Sequence, residues 1–289
     1  MDAFSAGRLT RTLDPLHSVA YFVPDVGERF GALGMQGRTP YFAARSAPMG
    51  AVVAHVVVAT FYNFNPGLVA ASIPGAWQMA SPETVTEIRY SIVEEALPQV
   101  LGESLVNSAE LARAADVLSR VAEAIPDADG RPLYAGHAEL PWPQSPHSRL
   151  WHAITLLREY RGDGHIAALL TYRLSGLEAL ITHTASGIGF TVDFARRLRG
   201  WSDEQWASAT EQLRQRRLVN ASGALTTAGI QLRTEIEDLT DRLAFAPWKT
   251  LADDDAAELE RFAAMIRQAV VDAGVFPPGA FASRWGAHR

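Results

Sequence analysis

Apolar residues recur at helical spacing along most of the chain, and clusters of breakers separate the runs. Asp14-Pro15 opens a pattern that is helical from Leu16 to Phe30 and stops at Gly31, Gly34 and Gly37. A second run from Ala51 to Phe61, behind Pro48, reads as a helix buried on nearly every face and ends at Tyr62-Asn63-Phe64-Asn65-Pro66. Ser81 and Pro82 start another helix, as cap and first turn, with Val85, Ile88, Ile92, Val93 and Ala96 inward. Between Asp127 and Pro146 the breakers are too dense for a helix or central strand. A junction is placed there, between an N-terminal helical unit at 1–135 and a C-terminal unit at 146–289.

In the second unit, Ser148 is positioned to cap a helix with Leu150, Trp151, Ile154 and Leu157 inward, and Arg161-Gly162-Asp163-Gly164 reads as its end. His165 to Leu174 forms the next helix, and Leu177 to His183 a short one after the Ser175-Gly176 turn. Ser202 with Gln205 spells a capping box for a helix to about Arg217 that buries Trp206, Ala209 and Leu213. Leu218 to Thr226 fits a small hairpin, and Thr227 begins a long helix with Leu232, Ile236, Leu239 and Leu243 inward. That order is a winged helix-turn-helix. Arg45 precedes a nearly uncharged helix as Arg161 does, and Ser81-Pro82-Glu83 opens a helix as Ser202-Asp203-Glu204 does, at nearly the same spacing. The expected fold class is therefore mainly α, with tandem winged-helix-like units carrying small β-hairpin wings.

Composition narrows the chemistry. The 289 residues hold 26 basic and 32 acidic side chains, a net charge of −6, so no overall field draws the molecule to DNA or anionic lipid. With no cysteine, thiolate catalysis, disulfides, cysteine-ligated zinc and Fe–S clusters are excluded. The eight histidines show no metalloprotease spacing, and no glycine-rich phosphate loop or Gly-x-Ser-x-Gly elbow occurs, so neither a metal nor a cofactor is expected. The N-terminus lacks a signal-peptide core and no apolar run reaches the length of a membrane helix, which predicts a cytoplasmic protein with no membrane partner.

Several segments, Leu16-His17-Ser18-Val19-Ala20-Tyr21-Phe22, Tyr41-Phe42-Ala43-Ala44-Arg45-Ser46-Ala47-Pro48-Met49-Gly50, Ala59-Thr60-Phe61-Tyr62-Asn63-Phe64, Leu156 to His165 and Thr240-Asp241-Arg242-Leu243, together resemble the actinobacterial SalK-like helix-turn-helix proteins. The resemblance covers nearly the whole chain and departs at Met49, where leucine is expected. It implies a winged-helix fold of the kind labelled MarR-type and, because some members sit in natural-product gene clusters, a place in specialised metabolism.

Glu159, Asp163 and His165 are the catalytic candidates, because a helix break between packed elements forces ionisable groups together. Arg158 and Arg161 beside them can bind an anion bidentately. Asp163 can equally serve as the N-cap of the following helix. In the first unit His17, Tyr21, Tyr41, Arg45, His55, Tyr62 and Asn63 are polar groups inside apolar sequence, and of these His17, Tyr21, Arg45, Tyr62 and Asn63 are the expected ligand contacts. A basic recognition helix at 203–217, ending in Arg214, Arg216 and Arg217, is the case for DNA, opposed by Asp203, Glu204 and Glu211 on the same helix and by a hairpin without cations.

Two functions follow. The first is a cofactor-independent small-molecule enzyme or ligand-binding protein of bacterial specialised metabolism, using acid–base chemistry and arginine anion binding in a pocket between the units. The second is a ligand-responsive transcriptional regulator. The expected partners are a small anionic ligand and a second copy in a homodimer, with DNA only under the regulator reading.

Overall fold

The computed structural model describes residues 1–286. The helices are α1 (Ala3–Phe22), α2 (Pro24–Ala32), α3 (Thr39–Ser46), α4 (Ala54–Phe61), α5 (Pro66–Ala70), α6 (Ala76–Met79), α7 (Pro82–Leu101), α8 (Glu103–Val106) and α9 (Ala109–Glu123). They continue with α10 (Pro132–Ala138), α11 (Pro146–Thr171), α12 (Gly176–Ala185), α13 (Val192–Arg199), α14 (Asp203–Gln215), α15 (Thr227–Ala244) and α16 (Asp253–Asp272). The fold is mainly helical. Among the described residues no sheet forms, and β pairing is limited to two isolated bridges, Val219 with Leu225 and Phe190 with Phe281. No single helix among them is long and apolar enough to cross a membrane.

Local signals set several boundaries. Ser81 accepts the Thr84 N–H at the start of α7, and Ser175 with Glu178 and Ser202 with Gln205 close capping boxes on α12 and α14. Packing overrides them elsewhere. The first helix begins at Ala3, not Leu16, with Asp2 accepting from Ser5, and Pro15 lies buried inside it. Leu9, Leu13 and Leu16 continue one buried stripe across the proline, which offsets the lost backbone hydrogen bond of about 3 kcal/mol. The run behind Pro48 is broken by Gly50, at φ 81°, before α4 begins. Val53 is 57% exposed and Val56 38%, so this helix is not buried on nearly every face.

The largest departure is α11, which runs for 26 residues through Arg161-Gly162-Asp163-Gly164 without a break. Its glycines permit close approach rather than a turn: a Cβ at Gly164 would lie 2.8 Å from Arg131 Nη1 and 3.4 Å from Leu243 Cβ. The helix starts behind Ser145, and Ser148 is already inside it, with its hydroxyl on Glu94.

The main core joins Leu16, Phe30, Phe42, Leu97 and Leu118 to Leu150, Trp151, Phe262 and Ile266, on both sides of the expected junction at 136–145. That junction therefore does not divide two cores. A second, smaller core of Leu169, Leu174, Leu177, Ile181, Leu213, Val219 and Ile236 lies under α12–α15, and α16 then returns to pack on α1. Beside it, α13, the turn at Gly200 (φ 74°) and capped α14 follow in the order helix, turn, helix. Where a hairpin wing was expected, the chain makes a turn with one isolated bridge, Asn220 Oδ1 accepting from the Ser222 and Ala224 N–H groups.

Candidate functional site

A cavity of about 300 Å³ opens where α3, the α4–α5 turn and α11 meet α12 and α13. Of the residues singled out in the sequence, Arg45, Tyr62, Asn63, Arg158, Arg161 and His165 line it. A neighbouring cavity of about 350 Å³ shares Arg11, Arg158, Arg161 and His165 with it. The adjacency comes from α11, which sets Arg158, Arg161 and His165 along one helix face, one turn apart.

Glu159 lies behind this wall, fully buried. Arg45 donates to both of its carboxylate oxygens, at 3.0 and 2.8 Å, and Arg158 to one at 2.8 Å. Burial alone would raise the Glu159 carboxyl, but Arg158 and Arg45 outweigh it and hold the group well below the usual carboxylate range. It is a permanent anion that orients two arginines. His17 and Tyr21 sit deeper, outside the cavity lining. His17 Nδ1 pairs with Thr155 Oγ1 at 3.0 Å, and burial, followed by Arg158, keeps its imidazole neutral. Tyr21 accepts from Arg89 at 2.7 Å, and burial pushes its phenol up to about 12.

Asp163 is turned away from the cavity. Its Oδ2 accepts the Tyr134 N–H at 3.0 Å, so it satisfies the first turn of α10, neither capping a following helix nor facing His165. Burial raises its carboxyl to about 7, with Glu159 adding to the rise and the Tyr134 N–H opposing it.

His165 hydrogen bonds Thr240 Oγ1 at 2.8 Å, and burial lowers it to about 3. Arg161 donates to Glu237 at 2.9 Å and to Asp241 at 2.8 Å, carboxylates that also receive Arg233 and Arg11. Tyr62 is held by its hydroxyl on Leu174 O at 2.5 Å, while Asn63 Oδ1 is buried without a protein partner.

Tyr41, His183 and Arg199 are among the lining residues that were not proposed as contacts. Tyr41 receives a hydrogen bond from Arg45 at 3.3 Å, and Arg45, Arg199, Arg158 and Arg38 lower its phenol against the opposing effect of burial. His183 is lowered to about 4 by burial. Arg199, the last residue of α13, stacks its guanidinium 4.2 Å from the Phe64 ring centre and makes no ion pair among the described residues. Burial, then the nearby Arg38, Arg45 and Arg158, pull it down to about 10, with Tyr41 opposing. In the sequence it is indistinguishable from the surface arginines Arg196 and Arg197 beside it.

The arginines of the helix-turn-helix are largely engaged. Arg214 pairs with Glu211, and Arg216 donates to Glu178 at 2.9 Å and to Arg173 O at 3.2 Å, whereas Arg217 is exposed in a left-handed conformation. The start of α14 is docked on the first half of the chain: Asn65 donates to Gln205 at 3.0 Å and its N–H to Arg199 O at 2.9 Å.

The family model of a helix-turn-helix family matches residues 6–277, so the chain belongs to that family. No curated protein and no solved structure matches it.

Proposed function

We propose that this helix-turn-helix protein binds a small organic anion in the cavity between α3, α11 and α13. The carrying observation is Arg199, a cavity-lining guanidinium with no carboxylate partner, surrounded by further arginines. The Arg199 guanidinium is half-buried, with Nε enclosed and unpaired and no counter-charge beside it, and a carboxylate or phosphate on a ligand offsets the cost of that enclosure through bidentate hydrogen bonds. Phe61, Phe64 and Leu169 on the same lining suit an apolar ligand body.

Cofactor-independent acid–base chemistry in this site falls to Tyr41, His165 and His183. Glu159 is committed to its two arginines, and Asp163 faces α10. The segments around Arg45 and Arg161 support the narrower kinship with SalK-like proteins and a place in specialised metabolism. Calorimetric titration with benzoate, phenyl phosphate and neutral benzamide tests the binding. The anions bind, benzamide does not, and Arg199→Met weakens the anions by about tenfold or more while raising the melting temperature. Equal affinities of benzamide and benzoate, or of wild type and variant, overturn the reading.

The regulator reading rests on the family and on the capped helix α14. Against it, α14 presents Asp203 and Glu204 at its exposed start, and Asn65 occupies Gln205. We expect random duplex DNA to bind more weakly than about micromolar at physiological salt. A tighter constant with a steep salt slope in an anisotropy titration favours the regulator.

A further inference from the structure

A larger groove, of about 690 Å³, shares no residue with the arginine-lined cavity. Its walls are one face of α7, the turn at Ala47–Gly50 and the proline-rich strap from Leu140 to Gln144. The lining is mostly apolar, with Tyr90 and Trp142 as its large surfaces. Its charged members are Glu83, Glu87 and Glu94, and no arginine, lysine or histidine lines it.

The three carboxylates are not equivalent. Glu94 accepts from Ser145 at 2.6 Å and Ser148 at 2.5 Å and lies 3.3 Å from His147, so it is committed to the start of α11. Glu83 sits in the first turn of α7, two residues after the cap Ser81 and away from Tyr90. Glu87, one turn further along the same helix face and three residues before Tyr90, makes no hydrogen bond or ion pair among the described residues. Arg29, which reaches Ser91 beside it, is paired with Glu95.

The aromatic surface is fixed before any ligand arrives. The Tyr90 hydroxyl meets His152 Nδ1 at 2.6 Å, and the Trp142 ring stands edge-on to His152 with centres 4.6 Å apart. Pro141 and Pro143 restrict the strap that carries Trp142. A rigid aromatic surface next to an uncommitted carboxylate, with no competing cation in the lining, is the chemistry that recognises a positive charge on an apolar body.

We propose that this groove binds a hydrophobic organic cation, an amine whose charge lies at Glu87 and whose aromatic or branched aliphatic body rests on Trp142 and Tyr90. The site does not depend on the anion cavity, so the molecule carries two small-molecule sites of opposite charge preference.

Titration of the full chain with 2-(2-naphthyl)ethylammonium and with the matching neutral alcohol, 2-naphthaleneethanol, tests the assignment. The ammonium probe binds about tenfold more tightly than the alcohol, the combined effect expected of one half-exposed ion pair and one cation–π contact. Glu87→Gln closes that gap by weakening the ammonium alone, Trp142→Ala weakens both probes, and Arg199→Met changes neither. Glu87 is exposed, so its replacement leaves the melting temperature unchanged. Equal affinities of the two probes for the wild type, no binding of the ammonium up to millimolar concentration, or a gap that survives Glu87→Gln overturns the proposal.

Discussion

Glu159 and Asp163 are one turn apart on α11, both buried, and their carboxyls are displaced in opposite directions. Glu159 meets α3 and receives two guanidinium groups, whereas Asp163, one turn further along the same side of the helix, meets α10 and receives one backbone N–H. Burial pushes both groups toward the neutral form, so the cations decide the difference. A buried carboxylate in a sequence rich in arginine is therefore no sign of a proton donor until its neighbours are known.

The contrast breaks most visibly if Glu159 is neutralised. Glu159→Gln leaves Arg45 and Arg158 without a buried counter-charge, and we expect urea unfolding to report a loss of about 3–5 kcal/mol. A loss below about 1 kcal/mol would mean that water reaches the pair. Asp163 sharpens the same contrast through pH. Its folded value of about 7 lies above the unfolded 3.8, so its contribution is full below the unfolded value and is lost as pH rises through about 7. Asp163→Asn is expected to stabilise the protein at pH 8, on the order of 2 kcal/mol, with no gain at pH 3.5. Glu159 has the opposite sign: its folded value lies below the unfolded one, so its contribution holds above the unfolded range and disappears as pH falls through the folded value. Stability curves of the two variants that slope the same way would show that the two positions are not electrostatically distinct.

The smallest effect comes from the two glycines flanking Asp163. Gly162→Ala meets only Glu159 Oε2 at 3.7 Å and should stabilise the helix by about 0.5–1 kcal/mol. Gly164→Ala pushes into Arg131 and Leu243 and should destabilise it by about 1 kcal/mol or more, so thermal melts of the pair should move in opposite directions.

The same glycines explain what the sequence concealed. Arg161-Gly162-Asp163-Gly164 carries every mark of a helix end, and only the crossing of Arg131 and α15 shows why small residues belong inside a continuous helix. Pro15 misleads in the same way, because the buried stripe it interrupts lies on partners far away in sequence. Where the signal is local, as in the caps at Ser81 and Ser202, sequence and structure agree. At the cavity, Arg45, Arg161 and His165 stood out as polar groups in apolar surroundings. Arg199 did not, since cations at the last turn of a helix are expected from its dipole alone, and its stacking depends on Phe64, more than a hundred residues away.

The path of the chain also bears on how the helix-turn-helix can move. Residues of the smaller core leave the main core through α11 and re-enter it through α15 and α16, and the amino terminus lies 3.3 Å from Asp253 at the start of that last helix. The unit is thus an insertion carried on two stiff struts rather than a module on a linker. Asn65 on Gln205 and on the Arg199 carbonyl, and Trp201 on the Asn63 carbonyl, tie the start of α14 to the first half of the chain at a third place, so any displacement of α14 must first break these hydrogen bonds.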